Sequence, residues 1–152
     1  MTERLHRLEM LYTANPTYFL TSCTSERKPI LATKGLHDAF INFCQRALQR
    51  NIFVGRYVLI PDHIHLFVKF SGEETNVSMW IKSLKNSLSK KFREMGIVAP
   101  HWQKDFFDHV LRSGESYSEK WLYMVENSIR AGLVKEWKDW PYQGEIFVLR
   151  FE

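Results

Sequence analysis

Two histidines, His63 and His65, stand one residue apart at the start of an apolar run that follows Pro61-Asp62. In a β-strand, residues i and i+2 point to the same face, about 7 Å apart along the strand. The two imidazoles would therefore lie side by side, while Ile64 and the alternating apolar residues after it face a core. Two imidazoles on one face form half of a metal site, so other parts of the chain must supply the remaining ligands.

Tyr123 and Asn127 form a second pair of candidate functional residues, on a predicted helix late in the sequence. Their i, i+4 spacing places both on one helix face, about 6 Å apart along the axis. If this helix crosses the strand that carries the histidines, the Asn127 amide oxygen is a candidate third ligand and the Tyr123 hydroxyl stands beside the metal. Two imidazoles and a carboxamide oxygen suit Mg²⁺ or Mn²⁺, with positions left for phosphate and water.

Attack of a tyrosine hydroxyl on a phosphodiester is the chemistry that these residues would serve. A free phenol has a pKa near 10, so only about 0.1% of it is ionised at pH 7. A divalent cation on a phosphate oxygen would neutralise the charge that develops in the transition state and would align the phosphate. A covalent phosphotyrosine would keep the bond energy, so that the strand can be rejoined elsewhere without ATP.

The elements that must position these residues follow from the apolar periodicity of the chain. Their predicted order is strand, helix, strand, strand, helix, strand, helix. The first six match a ferredoxin-like βαββαβ arrangement of the α+β class, with an antiparallel sheet and an added C-terminal helix that carries the tyrosine. Asn76 and Ser116 are the predicted N-caps of the last two helices. The predicted bounds are 18–24, 36–50, 53–60, 63–70, 76–95, 106–111 and 116–131, and alternation predicts a docked strand within 144–152.

The composition is that of one globular domain. A chain of 152 residues with 45% hydrophobic content can bury one good core, so we expect a single domain over 1–152 with its core at about 18–142.

The charged N-terminus lacks a long apolar stretch, so no signal peptide or membrane span is expected. Cys23 and Cys44 are predicted to be buried residues of a reduced, cytoplasmic protein. The net charge of +4 permits nucleic-acid binding without requiring it.

Two segments resemble the single-tyrosine HUH transposases, and most closely their REP-associated branch. The strand 60–66 (Ile-Pro-Asp-His-Ile-His-Leu) is similar to the histidine–hydrophobic–histidine motif of that family, and Tyr123…Asn127-Ser128-Ile129-Arg130-Ala131-Gly132-Leu133 is similar to its tyrosine-containing segment. Segments 18–29 and 102–112 resemble its first and fourth strands, so the likeness runs from about residue 18 to 142. The resemblance implies a metal-dependent nuclease that cleaves single-stranded DNA near a hairpin through a 5′-phosphotyrosine. It implies that His63, His65 and Asn127 are metal ligands and that Tyr123 is the nucleophile.

The sequence departs from the pattern of these transposases at two positions. Ser128 stands where the REP-associated proteins usually have proline, a change that we expect to alter helix geometry more than chemistry. Asp62 replaces a more usual asparagine before the first histidine. An acid at this position is predicted to hydrogen-bond a ligand rather than to coordinate the metal.

Several basic residues are candidates for contact with DNA. Lys82 and Lys85 share a face of the second long helix, where a solvated surface and contact with hairpin phosphates are both open interpretations. Trp102, in a loop, is a candidate for base stacking, whereas His101 and His109 are expected to be structural. The other predicted DNA-binding residues lie in the first turn, after the fourth strand and beside Asn127: Arg27, Lys28, Arg112 and Arg130.

Three functions remain open on the sequence. A DNA strand transferase acting on single-stranded, hairpin-bearing repeats of the repetitive extragenic palindrome type is the leading one. A hairpin-binding regulator that no longer transposes would keep the same residues. An unrelated H-x-H metal hydrolase is disfavoured, because Leu66-Phe67-Val68 follows the histidines where a metallo-β-lactamase pattern needs aspartate and histidine. We expect a cytoplasmic, nucleoid-associated protein with no membrane partner, and we favour a monomer over a dimer.

Overall fold

The computed structural model describes residues 16–71, 75–111 and 114–150. Within these ranges, five strands and four α-helices make up the regular structure, with single 3-10 turns at Ser25–Arg27, Leu48–Arg50 and Trp137–Asp139. In chain order the elements are β1 (Thr17–Cys23), α1 (Lys34–Ala47), β2 (Ile52–Ile60), β3 (His63–Phe70), α2 (Val77–Glu94), β4 (Phe107–Leu111), α3 (Gly114–Val125), α4 (Asn127–Arg130) and β5 (Gln143–Glu145).

The sheet confirms the predicted fold class. Its strand order is β4-β1-β3-β2-β5, and every neighbouring pair of strands is antiparallel. The first four strands have the order of a ferredoxin-like βαββαβ fold, and β5 is an addition beside β2. Strand β3, which carries the two histidines, is central, and its residues from Ile64 to Val68 are buried. A central position fixes the histidines by hydrogen-bonded neighbours on both sides.

Helices α1 and α2 pack against one face of the sheet and bury the main apolar core. Helix α1 buries Leu36, Phe40 and Cys44, which are spaced four residues apart on one face. Helix α2 starts at the predicted cap, since the Asn76 side chain accepts a hydrogen bond from the Met79 backbone N–H at 2.9 Å. Burial of these apolar side chains on this face of the sheet therefore stabilises the fold.

Helix α1 begins earlier than the predicted bound of residue 36. The Thr33 side chain caps it, accepting a hydrogen bond from the Leu36 backbone N–H at 3.2 Å. Gly35, expected to precede the helix, lies in its first turn. Gly35 has a low helix propensity and so favours a later start, but the Thr33 cap sets the start at Lys34, two residues before the predicted bound.

A second apolar cluster lies on the opposite face of the sheet, under helix α3. Phe67 and Leu111 are buried there together with Met124 of α3. His65 shares this face with Phe67, because residues two apart along a strand point the same way. Helix α3 is therefore the added helix that was expected to cross the histidine-bearing strand.

The predicted C-terminal helix over 116–131 is two helices, α3 and α4, separated at Glu126. At this break the Ser128 hydroxyl donates to the Val125 carbonyl at 3.0 Å, and Arg130 Nη2 donates to the Tyr123 carbonyl at 2.8 Å. Side-chain donors thus satisfy carbonyls that a continuous helix would satisfy with amides.

The predicted capping box at Ser116 is wrong. Helix α3 begins at Gly114, so Ser116 lies inside its first turn rather than before it. Only two residues separate Leu111, at the end of β4, from this helix start.

The C-terminal segment docks along β2. Strand β5 pairs with β2, and the backbone N–H groups of Ile146 and Phe147 extend the pairing to the carbonyls of Gly55 and Val54 at 3.1 and 2.9 Å. The predicted docked strand is thus present but shorter, and residues 151–152 lie outside the described part. Leu149 is buried against Gly55, where a Cβ atom would come within 2.6 Å of it.

The two cysteines are both free and buried, as predicted. None of the helices in the described ranges has the length and apolar character that crossing a bilayer requires.

Candidate active site

The site is built on the turn between β2 and β3, which sets the two histidines at the start of the central strand. Cys23 of β1 and Ile60 of β2 lie opposite His63, and Thr21 lies opposite His65. The two imidazole ring centroids are 4.7 Å apart with the rings at 77°. His65 is buried, and only 13% of the His63 side chain is exposed. The predicted side-by-side arrangement of the two rings is confirmed.

Each imidazole is fixed through its Nδ1 atom. Thr21 Oγ1 lies 2.8 Å from His65 Nδ1, and Asp62 Oδ1 lies 2.7 Å from His63 Nδ1. Partners of this kind hold metal-binding histidines in one tautomer, with Nδ1 protonated and Nε2 free to coordinate. Asp62 therefore hydrogen-bonds a histidine, as its position before the first histidine predicts. Thr21 was not identified from the sequence, because only the register of β1 against β3 places it opposite His65.

The histidines are held in their neutral form. Burial lowers the pKa of His65 to about 3, and the nearby basic side chains of His63, Arg130 and Arg27 lower it further. Burial also lowers the pKa of His63, although its hydrogen bond to Asp62 opposes that effect. Neutral imidazole is the form that binds a metal ion, so this environment favours coordination over protonation.

Arg27 belongs to the turn that supports His63. Its Nε donates to Asp62 Oδ2 at 2.9 Å, and its Nη1 lies 3.2 Å from the Cys23 Sγ. Burial acts to raise the pKa of Asp62, but hydrogen bonds from His63 and Arg27 outweigh it and keep that pKa below its usual value of 3.8. Half of the Arg27 side chain is nevertheless exposed, so the residue both orients Asp62 and faces solvent.

Tyr123, Asn127 and Arg130 form one cluster across the break between α3 and α4. Arg130 Nη2 donates to the Asn127 Oδ1 at 2.8 Å as well as to the Tyr123 carbonyl, and its guanidinium carbon lies 4.6 Å from the centre of the Tyr123 ring. Its Nη1 also reaches Glu126 Oε2 at 3.3 Å. Tyr123 is 55% exposed. The predicted Tyr–Asn pair is thus held together by a third residue and not by continuous helix.

The cluster around Tyr123 lies on the same face of the sheet as the histidine pair. The charge of Arg130 contributes to the low pKa of His65, which places the guanidinium within electrostatic range of that ring. Lys120 of α3 lies with its Nζ 5.7 Å from the centre of the Phe19 ring, and Phe19 stacks on His65 at 5.3 Å. Arg130, which contacts both Tyr123 and Asn127, therefore lies close enough to His65 to act on that ring electrostatically.

The donors at this site fit a divalent cation of the Mg²⁺ or Mn²⁺ type. No group of three or more His, Cys, Asp and Glu side chains in the described ranges is arranged to hold a metal. The Asn127 amide oxygen, which has a second lone pair besides the one facing Arg130, is a candidate further ligand. The Asn127 Nδ2 is buried without a partner among the described atoms. An amide in this state is poised for one more polar contact.

The other residues predicted to contact DNA differ in their exposure and in their contacts with the protein. Lys85 donates to the Gln103 carbonyl at 3.1 Å, and burial lowers the pKa of its amine, so it holds the loop before β4 rather than facing outward. Lys82 is exposed on α2, whereas Lys28 is half-buried in the first turn. Arg112 lies outside the described residues. None of these positions tests the predicted DNA contacts.

Trp102 and His101 support the loop instead of presenting free faces. The Trp102 indole N–H lies 3.0 Å from Ser89 Oγ, and its ring packs beside Phe92. His101 is buried, with Nδ1 at 2.9 Å from the same hydroxyl and Nε2 at 2.9 Å from the Ile97 carbonyl. His101 is thus structural, as expected, and the half-buried Trp102 is a poor stacking platform.

Comparison with known proteins places the chain among transposases. A family model described as "Transposase IS200 like" matches residues 13–126, a range that includes His63, His65 and Tyr123. A REP-associated tyrosine transposase of Escherichia coli K12 is 25% identical over 135 residues, which cover 86% of this chain and 77% of that protein. A Haemophilus influenzae protein named provisionally as such a transposase is 25% identical over 148 residues, covering 86% of this chain and 80% of its own.

Solved structures support the same fold. The structure of a REP-associated tyrosine transposase bound to a REP hairpin is similar to this chain with a TM-score of 0.69 and 24% identity, over 84% of this chain and 75% of that one. A bacterial tRNA(His) guanylyltransferase-like protein in complex with GTP is similar with a TM-score of 0.52 and 15% identity. The second likeness shows that this sheet and helix arrangement also serves other chemistry.

Proposed function

This chain belongs to the IS200-like transposase family, and from that premise we propose that it cleaves and rejoins single-stranded, hairpin-bearing DNA through a covalent link to Tyr123. The observation that carries the proposal is the pairing of two neutral imidazoles, each fixed through Nδ1, with an exposed tyrosine on the helix that covers the same face. A nucleophile that must reach a polymeric substrate has to lie at the surface, and Tyr123 does.

The metal would be held by the two histidine Nε2 atoms and by the Asn127 amide oxygen. When bound, Mg²⁺ or Mn²⁺ would neutralise charge on the phosphate and so lower the barrier to attack. Thr21 and Asp62 orient the two rings, and Arg130 orients the Asn127 amide. The protein thereby fixes the ligands before the cation arrives.

The Tyr123 hydroxyl would attack the phosphorus of the bound phosphodiester. A new bond forms between Tyr123 Oη and phosphorus, and the bond from phosphorus to the 3′ oxygen breaks. The phenol proton is lost and the departing oxygen gains one, so the products are a 5′-phosphotyrosine and a free 3′-OH. Attack by a 3′-OH on the phosphotyrosine reverses these changes and rejoins the strand.

The proposed substrate is DNA that combines a hairpin with an unpaired flank. One relative with the same fold was solved bound to a REP hairpin, which makes hairpin DNA the natural substrate to test. Exposed Arg27 lies beside the site and exposed Lys82 lies on α2, where each is available to a phosphate. Arg27 has the additional task of holding Asp62.

A covalent-adduct assay tests this function. The protein is incubated with hairpin oligonucleotides taken from repeats that flank its own gene, with Mg²⁺, Mn²⁺ or EDTA, and is then run on a denaturing gel. We expect a metal-dependent shifted band that Tyr123→Phe and His63→Ala both abolish. Hairpin binding without any adduct, in both metals and with several repeats, would instead support the regulator that binds DNA without cutting it. Absence of binding would remove the proposed function.

A further inference from the structure

Phe107 lies at the end of a row of side chains that starts at the catalytic histidines. It is paired across the sheet with Thr21, and Thr21 is paired with His65. Directly paired residues on adjacent strands point to the same face, and adjacent strands are about 4.8 Å apart. Phe107 therefore stands on the catalytic face, two strand spacings or about 10 Å from His65.

The Phe107 side chain is unusually exposed for an aromatic residue in a strand. It is 71% exposed, whereas Leu111 on the same face of the same strand is 3% exposed in the cluster under α3. Helix α3 thus covers one end of β4 and leaves the other end open. The Phe107 ring thus presents a free aromatic face on the side of the sheet that carries the histidines.

The surroundings of Phe107 favour a flat, uncharged ligand. The two exposed residues Lys104 and Asp105, which lie just before it in the chain, carry opposite charges that offset each other. A nucleobase needs neither charge, because its π-face stacks on aromatic rings irrespective of its sequence. The open ring of Phe107 offers such a face to one base.

We propose that Phe107 is a stacking platform for one unpaired base of the DNA strand, next to the phosphodiester that Tyr123 attacks. This inference rests on the proposed function, because it requires single-stranded DNA at the histidines. The base on Phe107 would hold the flank along the sheet edge while the phosphate lies over β3. The platform would select unpaired DNA, since a base within a duplex has no free face to offer.

The first experiment measures binding of a hairpin oligonucleotide with a single-stranded flank, in EDTA, so that neither metal nor cleavage contributes. We expect Phe107→Ala to weaken binding about tenfold, within a range of roughly 5- to 150-fold, and Phe107→Trp to bind as tightly as the wild type. Val98→Ala, at a 79% exposed loop position, is the control and should bind like the wild type. A hairpin without a flank should bind equally to all four proteins.

A second series, with one abasic position moved along the flank, identifies the base. At a single position the abasic oligonucleotide should bind wild type and Phe107→Ala equally, because the stacking partner is already gone. Equal binding of the two proteins to every intact oligonucleotide would overturn the inference. So would a loss that persists at all abasic positions, or a change in oligomeric state instead of DNA affinity. A wild-type protein that forms the Tyr123 adduct while Phe107→Ala binds normally would leave the proposed function intact and remove only this inference.

Discussion

At the scale of single residues, the two histidines depend on different partners. His65 is fixed by the uncharged Thr21 from the neighbouring strand, and His63 is fixed by the carboxylate of Asp62 in its own turn. A carboxylate partner raises the basicity of the ring that it holds more than a hydroxyl does. The two Nε2 atoms are thus expected to differ in strength as ligands, with His63 the stronger.

Thr21→Val is predicted to weaken metal binding without unfolding the protein. Valine has nearly the shape of threonine but cannot hydrogen-bond His65 Nδ1, so the ring loses its orientation. Loss of such a partner typically costs 10- to 100-fold in metal affinity, and we expect a loss in that range for Mn²⁺ measured by electron paramagnetic resonance titration. Ser22→Ala, at the adjacent position that faces the main core, is the matched control and should bind Mn²⁺ like the wild type. Equal affinity of Thr21→Val and wild type would show that His65 is not a ligand.

Arg130→Lys is predicted to slow adduct formation about tenfold or more. Lysine keeps the charge but cannot bridge the Tyr123 carbonyl and the Asn127 amide oxygen while stacking on the tyrosine ring. The nucleophile and its neighbouring ligand would then lose their mutual geometry, to which reaction rates are very sensitive. Single-turnover measurement of the adduct checks this rate.

The control for that prediction is Glu126→Gln, which removes only the peripheral ion pair at 3.3 Å between exposed side chains. Exposed pairs of this kind contribute little, so its rate should stay near that of the wild type. If Arg130→Lys lowers the melting temperature but reacts at the wild-type rate, Arg130 supports the fold alone.

At the scale of elements, the break at Glu126 changes how Tyr123 and Asn127 are related. An unbroken helix would fix both by backbone hydrogen bonds, whereas here α3 and α4 meet through the side chains of Ser128 and Arg130. Ser128 stands where related proteins usually have proline, and its buried hydroxyl shows how this chain closes the break without one. Ser128 thus lies at the junction between α3 and α4.

The contact between α1 and β2 predicts a pH dependence of stability. His37 Nε2 lies 2.7 Å from the Tyr57 hydroxyl, and burial lowers the pKa of His37 below its usual 6.5, with nearby Asp38 opposing that effect. The unfolded chain therefore binds the proton more tightly than the folded one, and stability falls as pH drops below about 6.5. We expect the melting temperature of wild type to fall more between pH 7 and pH 5 than that of His37→Gln. Parallel melting curves for the two proteins would contradict this role of His37.

In the whole molecule, the two faces of the sheet differ in what they carry. One face packs against α1 and α2 and holds most of the buried apolar residues, and the other carries the histidines under α3. The single central strand β3 serves both faces, since Ile64 and Leu66 enter the main core while His63 and His65 point the other way. The core therefore sets the position of the two imidazole rings directly.

The strands and the histidine pair were predictable, because they depend on local alternation and on turn residues such as Pro61-Asp62. The break at Glu126 could not be predicted from the sequence. It depends on a hydrogen bond from Arg130 to the carbonyl of Tyr123, seven residues earlier, and the spacing of apolar residues gives no sign of that contact. The contacts of Thr21 and Lys85 could not be predicted, for the same reason. Their partners, His65 and the Gln103 carbonyl, are distant in sequence and become neighbours only once the fold is formed.

Covalent attachment of Tyr123 to DNA is tested by mass spectrometry of the protein–DNA adduct. The cross-linked protein is digested with nuclease and trypsin, and the peptide that carries a residual 5′-nucleotide is sequenced. We predict that the nucleotide lies on Tyr123 and on no other tyrosine. A nucleotide on Tyr117 or Tyr142, or an adduct that persists in Tyr123→Phe, would contradict the assignment of the nucleophile.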